Sequence, residues 1–404
     1  VAKLTIDRVE VSGKRVFVRA DFNVPLDDGR ITDDRRIRLT VPTIESILSR
    51  GGSVVAASHL GRPEGNGFEA EFSIKPVQAR LTELLGGMAK GGVTLGGPLP
   101  TDAASAAAVS ALKPGSVLLL ENLRFEKGEK EGDAAFAVIL AGYADIYCND
   151  AFGASHRNDA SMRALPLAMK PKPCVAGLLL AKELAYLSET LTAPKKPFVA
   201  ILGGAKVTDK LLALRNLIGR VDTIIVGGAM AYTFLLSQGH GVGRSRVQAE
   251  MSEQAKQILE LAKERGTKLL LPLDHVCATE LRSGVPTRTV AGDIPADLLG
   301  LDIGPSTEQL FCDEIARART IVWNGPMGVF ETPPFDHGTR AVAAALAHAT
   351  KTGAITIAGG GDTAAAVESA GFGEALSHIS TGGGASLELL EGKRFESIDA
   401  LSDG

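Results

Sequence analysis

The chain has 404 residues, 45% of them hydrophobic and 22% charged, with a formal net charge of −4. That composition fits a globular protein long enough for two ordinary domains. The small net charge gives no general attraction for nucleic acid or a membrane surface, so any anion site must come from a local cluster.

Apolar runs of strand length recur along the chain, separated by segments of helix length. KRVFVRADFNV, SVVAASHLG, VTLGG, SVLLLENLRF, IYCNDAFG and PCVAGLLL come first; PFVAILGG, DTIIVGG, KLLLPLDHV, TIVWNGP, AITIAGGG and LSHISTGGG follow. Their apolarity is continuous rather than alternating, as expected of parallel strands covered on both faces. VPTIESILSRG and KLLALRNLIG read as helices between them, the first closing at Gly51 in a C-cap position. The expected fold is α/β: two doubly wound, Rossmann-like parallel-sheet domains of about six strands each. AKELAYLSETL, followed by TAPKKP, reads as the hinge helix that joins them. The boundary is expected at 182/183, with a first domain over 1–182 and a second over 183–389.

No apolar run reaches the roughly 18–20 residues of a membrane span. VAKLTIDRVE does not read as a secretory signal. Cys148, Cys174, Cys277 and Cys312 are scattered, with no CxxC pair, so reduced thiols and a cytoplasmic location are expected.

In open α/β sheets, ligands sit beyond the C-terminal ends of the strands. In the first half those ends are polar: Asp21 and Asn23, His59 and Arg62, Arg124, then His156 and Arg157. With Arg36 early in a helix, His59, Arg62, Arg124 and Arg157 should converge on one rim. Arginine forks bind phosphate and carboxylate through paired hydrogen bonds. Asp21 and Asn23 are expected to accept from a ligand hydroxyl or to orient the nearest arginine.

In the second half the ends are mostly glycine: Gly203-Gly204, Gly227-Gly228, Gly325, Gly359 to Gly361 and Gly382 to Gly384. AITIAGGGDTAAAVESAG reads as strand, glycine turn, helix, and free N–H groups at such a helix start favour phosphate. Gly359, Gly361 and Ala364 fit GxGxxG/A, but the next strand ends in Ser380-Thr381, without the acid a dinucleotide site needs for its ribose. In LGGAKVTDKLLAL, Thr208 is the expected N-cap, with Lys210 in the first turn and Lys206 just before it. Cations there oppose the helix dipole unless a polyphosphate binds. Asp362 is a candidate for Mg²⁺ or for a helix N-cap, and Asn324, Pro326 and Glu331 follow another strand, Glu331 as a candidate for ribose hydroxyls. There is no Walker A pattern. A nicotinamide-dependent oxidoreductase, another ATP-dependent carboxylate kinase and a non-catalytic binding protein remain the alternatives.

VRADFNVP, RIRLTVPTI, SHLGRP, ENLRF, NDAFGASHR, LGGAKVTDK, LDIGP, WNGPMGVFE, GGGDTAAA and STGGGASLELLEGK, in this order and spacing, resemble the phosphoglycerate kinase family over essentially the whole chain. The resemblance implies an N-terminal domain for 3-phosphoglycerate or 1,3-bisphosphoglycerate and a C-terminal domain for Mg-ATP or Mg-ADP. Asp21, Phe22, Asn23, Arg36, His59, Leu60, Gly61, Arg62, Arg124 and Arg157 match the family's triose set. Lys206, Lys210, Gly228, Gly300, Asn324, Pro326, Glu331, Gly360, Gly361, Asp362 and Thr363 match its nucleotide set, with Asp362 toward the metal. Arg36 and Lys206 match the pair that stabilises the transferring phosphoryl, and Gly382, Gly383 and Gly384 the helix start beside it. The resemblance also implies a hinged monomer whose residues 390–404 return to the first domain. One position departs: the family often carries a second histidine where this chain has Asp159.

Overall fold

The computed structural model describes residues 2–404, with the backbone alone for 188–192. The chain forms two compact units. One runs to Leu184 and includes Arg394–Gly404; the other is Ala185–Lys393.

In the first unit the strands are β1 (Arg15–Arg19), β2 (Leu26–Asp27), β3 (Arg30–Ile31), β4 (Ser53–Ala57), β5 (Val93–Leu95), β6 (Val117–Leu119), β7 (Ile146–Asn149) and β8 (Cys174–Ala176). Six of them build one parallel sheet in the order β5-β6-β4-β1-β7-β8. Every residue of β4 and β7 is buried, which is why their sequences are apolar without alternation. The chain winds outward from β1 and returns on its other side at β7, so the reversal leaves a crevice beyond the end of β1. Beyond that end, β2 and β3 form a hairpin across Asp28-Gly29, both at positive φ (46° and 71°). This is the Asp-Gly turn that matches strand twist.

The helix Arg35–Ser49 begins six residues before the VPTIESILSRG reading and carries Pro42 inside it. Its start is set by the acids before it: Asp33 Oδ1 accepts the Arg35 N–H at 2.9 Å. That early start puts Arg36 in the first turn, at the crevice. Gly51, at φ 80°, follows the helix end as expected. The C-terminal segment of this unit lies against its N-terminus: Leu4 N–H donates to Ser402 O at 2.9 Å, and Ser402 N–H to Cys174 O at 2.7 Å.

In the second unit the strands are β9 (Phe198–Leu202), β10 (Thr223–Val226), β11 (Lys268–Leu270), β12 (Asp274–Ala278), β13 (Arg288–Ala291), β14 (Leu299–Ile303), β15 (Thr320–Asn324), β16 (Ile355–Gly359) and β17 (His378–Ile379). The main sheet is parallel, in the order β11-β10-β9-β15-β16-β17. Its reversal falls between β9 and β15, where a doubly wound sheet binds its ligand. The expected two domains of six parallel strands are therefore present.

KLLLPLDHV, expected as one strand, is two. Pro272 cannot donate to a ladder, and the chain leaves the main sheet after β11. It re-enters as β12 in a separate antiparallel sheet, β13-β12-β14, which the sequence reading did not anticipate.

Candidate active site

At the crevice of the first unit, Asp21 is 6% exposed and its two carboxylate oxygens each accept from Arg36 Nη1 at 3.1 Å. The same Nη1 donates to Asn23 O at 3.0 Å. Asn23 Oδ1 takes the Gly61 N–H at 2.8 Å. Asp21 thus orients an arginine, and Asn23 ties the end of β1 to the loop after β4. Arg124 Nη1 donates to Gly61 O at 3.0 Å, which brings a third strand end to the same place. Arg62 stands exposed just beyond.

His59 lies at the centre, 1% exposed. Its Nδ1 is 3.3 Å from Arg19 Nη2 and its Nε2 is 3.2 Å from Arg157 Nη1. Burial first, then the charges of Arg19, Arg124, Arg157 and Arg36, hold its pKa well below the ordinary histidine value, so the ring is neutral. A neutral ring has one acceptor nitrogen. Arg19 is the fixed partner: it is fully buried, donates Nε–H to Ser161 Oγ at 2.7 Å and Nη1–H to Ala20 O, and faces Glu129 at 3.7 Å. Only one of the two guanidinium contacts can therefore be a hydrogen bond to the ring; the other sets donor against donor, which an anion placed beside both would relieve.

Phe22 and Leu60 are buried in the apolar core, so only their backbones face the rim. Both backbone groups of Leu60 are already bonded to Asn122. Three residues of this network lay outside the expected set: Arg19, Glu129 and Asp159. The signal for Arg19 was a charge closing an apolar strand; Asp159 stood out only as a departure from the family pattern, and nothing local marks Glu129.

In the second unit, Gly203 N–H donates to Asn324 O at 2.9 Å across the reversal between β9 and β15. Gly228, at φ 66°, donates to Met327 O at 2.9 Å, and a Cβ there would collide with the backbone of Gly204 and Pro326. Asn324 Oδ1 accepts from Lys210 Nζ. Burial pulls the Lys210 pKa down to about 8, against the opposing pull of Asp209, Asp362 and Glu391.

The helix Gly361–Ser369 starts directly after β16, and Gly383–Leu390 starts after β17. The two starts are adjacent: a Cβ on Gly383 would lie 3.0 Å from Gly360 Cα and 3.2 Å from Gly361 N. Thr363 is fully buried, and its Oγ1 accepts the Gly325 N–H at 2.8 Å, pinning one glycine turn to the next. Lys210, Asn324, Gly360, Gly361, Thr363, Gly382 and Gly383 are thus gathered. Lys206, Glu331, Gly384 and Asp362 are exposed. Gly300 lies on β14 in the antiparallel sheet, its N–H given to Ser245 Oγ at 2.9 Å.

Two expectations are corrected. Thr208 is not the N-cap: the helix is Leu211–Leu217, with Lys210 at the cap position and Thr208 in the preceding turn. Asp362 is not a cap either, because the helix begins at Gly361 with Gly360 before it. Asp362 is left as a free-standing carboxylate in the first turn. Among the described residues no group of three or more His, Cys, Asp or Glu could enclose a metal. A lone exposed carboxylate beside free helix N–H groups does suit Mg²⁺, which keeps several waters and shares substrate phosphates.

The fold and these two sets of strand ends define a two-unit α/β protein whose crevices differ, with guanidinium groups at one and glycine backbone at the other. A sequence model of the family described as phosphoglycerate kinase matches residues 6–393, and the chain belongs to that family. It is 52% identical over 407 residues to the phosphoglycerate kinase of Rhodopirellula baltica, with all of both chains covered. It is 50% identical over 402 residues to that of Chloroherpeton thalassium, covering 99% of each. The solved structure of phosphoglycerate kinase from Coxiella burnetii superposes with a TM-score of 0.88 at 40% identity, covering 98% of each chain. That from Pyrococcus horikoshii does so at 0.83 and 28% identity, again over 98% of each chain. Membership makes the chain a phosphotransferase of the kinase type, from a glycolytic family.

Proposed function

We propose that the chain transfers a phosphoryl group reversibly between 1,3-bisphosphoglycerate with ADP and 3-phosphoglycerate with ATP, in the presence of Mg²⁺. The observation that carries this reading is the rim around His59, where Arg36, Arg124 and Arg157 converge on a neutral histidine. Such a rim suits a small substrate bearing both phosphate and carboxylate. The triose is assigned to the first unit and the nucleotide to the second.

The acceptor is a carboxylate with a pKa of roughly 3.5–4, ionised at neutral pH, so no general base is required. Catalysis then rests on positioning and on charges that meet the three equatorial oxygens of the transferring group. Asp21 fixes Arg36 for that purpose. Lys206 is free to approach from the nucleotide side, and the N–H groups of Gly383 and Gly384 offer donors. Asn324 and Lys210 hold the nucleotide phosphates or their surroundings, Glu331 the ribose, and the strand ends at Gly228, Gly300 and Pro326 the base. Mg²⁺, when bound beside Asp362, would neutralise charge on the nucleotide phosphates.

With acceptor and donor on different units, transfer requires closure around both ligands. Small-angle scattering is expected to show full compaction only with both present; full compaction with nucleotide alone would refute a two-ligand closure. We also infer a cytoplasmic monomer. Its four cysteines are unpaired, and no described helix is long and apolar enough to cross a membrane. Sedimentation checks the oligomeric state. The reaction is tested by ATP-dependent phosphorylation of 3-phosphoglycerate coupled to NADH oxidation, for the wild type and Lys206→Ala. Activity in the first and a collapse in the second, with nucleotide binding kept, are expected.

A further inference from the structure

The carboxylates around His59 are not equally committed. Both oxygens of Asp21 accept from Arg36. Both oxygens of Glu129 accept from Ser161, at 2.9 and 2.6 Å. Asp159 differs: it is 7% exposed, and its Oδ2 is buried with no hydrogen-bond partner. The nearest cation is Arg124 Nη2 at 3.7 Å, too far for a hydrogen bond, and Arg124 Nε is likewise buried and unpartnered.

The Asp159 side chain cannot readily withdraw from this place. Its own carbonyl accepts from Met162 N–H at 2.9 Å and Arg163 N–H at 3.1 Å. The next residue donates to Glu129 O at 2.7 Å. Arg157 leaves the same loop two residues earlier to reach His59. An anion drawn to Arg124 and Arg157 is therefore brought up to a fixed, buried acceptor that has no hydrogen-bond partner of its own.

We propose that Asp159 is a specificity-determining residue of the rim: it favours anions that present a hydrogen-bond donor, a hydroxyl or P–OH, and rejects anions that present only acceptors. The physical reason is the cost of leaving a buried acceptor unpaired against another acceptor, compared with pairing it. The claim deepens the triose reading and rests on it, because 3-phosphoglycerate carries a hydroxyl beside its carboxylate.

Inorganic phosphate and sulfate separate this effect from charge and size. Near pH 8 phosphate is chiefly HPO4²⁻, a dianion like sulfate that still carries one P–OH, whereas sulfate carries none. Calorimetric titration of the full chain at low salt should give inorganic phosphate at least about tenfold tighter binding than sulfate. In Asp159→Asn, which keeps the shape and adds a donor, the ratio should fall to near one, through tighter sulfate binding. Thermal melting checks that the variant is folded. A ratio near one in the wild type overturns the proposal without any variant, and so does an unchanged ratio in folded Asp159→Asn. Neither titration needs kinase activity. A selectivity switch without 3-phosphoglycerate phosphorylation would sink the function and keep the selectivity; phosphorylation with no switch would do the reverse.

Discussion

Both units wind the same way around a six-stranded parallel sheet, but they finish their strands differently. In the first unit the ends carry side chains: Arg36 on Asp21, Arg19 on His59, Arg124 on Gly61. In the second they carry glycine backbone, with Gly203 against Asn324, Gly228 against Met327, and Gly383 against Gly360. Guanidinium groups bring net charge, and most of these are held by a carboxylate or a carbonyl. Backbone N–H groups bring little net charge, but they require chains to approach more closely than any Cβ allows. The first arrangement suits a small ligand with several charges close together; the second suits a phosphate chain laid along helix starts.

That contrast breaks most visibly if charge in the first unit also governs the second. Arg36→Ala should lower kcat/KM for 3-phosphoglycerate by about 10²- to 10³-fold while nucleotide affinity stays near wild type. Steady-state kinetics with a nucleotide titration checks both, and a parallel loss of nucleotide affinity would end the division of labour. The reverse test is Gly383→Val. Its side chain has no room against Gly360, so nucleotide binding should weaken by about 10- to 100-fold, with inorganic phosphate binding to the first unit unmoved.

Each unit also buries a neutral histidine, and pH tells the two roles apart. His275 in the second unit is 1% exposed, and burial pulls its pKa down to about 4. Unfolded, it titrates near 6.5. Its contribution is therefore complete above about pH 6.5 and is lost as pH falls toward 4, by up to roughly 3 kcal/mol. Asp150 and Asp302, both pushed up to about 7 by burial, act oppositely: folding favours their protonated forms, so what they contribute to stability improves as pH falls through 7. The difference between wild type and His275→Gln in urea unfolding at pH 7.5, 6 and 5 isolates the histidine. A pH-independent difference would contradict this reading. In the first unit, an anion beside His59 and Arg157 offsets the arginine charges that favour the neutral ring, so ligand binding should move the His59 pKa back up, read in its NMR signals.

The smallest expected effect concerns how the glycine turns are pinned. Thr363→Val removes the acceptor for Gly325 N–H and should cost about 1–3 kcal/mol of stability in the second unit, read by denaturant unfolding. An effect on the first unit's anion affinity is not expected.

Most of the main sheets was legible in the sequence, because strands buried on both faces must be apolar throughout. The antiparallel sheet was not. Its strands are short, RTVA is largely exposed, and the run across Pro272 looked continuous. The Asp28-Gly29 hairpin had a local signal that was passed over. At the rim, His59, Arg124 and Arg157 were expected from strand ends and Arg36 from an early helix turn, and the glycine runs from strand–turn–helix order. The GxGxxA match at Gly359 also fits a dinucleotide enzyme, and locally only the missing ribose acid and the lysines of LGGAKVTDK counted against that reading. Backbone geometry at a phosphate site is shared between such families, and matches over the whole chain were needed to separate them.

The sequence by itself determined which segments become strands and which residues stand at their ends, since both follow from apolar runs and from what interrupts them. Only the tertiary structure decided which ends meet: Arg19 on His59, Glu129 under Ser161, Asp159 beside Arg124, Gly383 against Gly360. These partners lie in separate segments of the chain. Their pairing depends on sheet order and on the point where the winding reverses, and neither is written in the local pattern of any one strand.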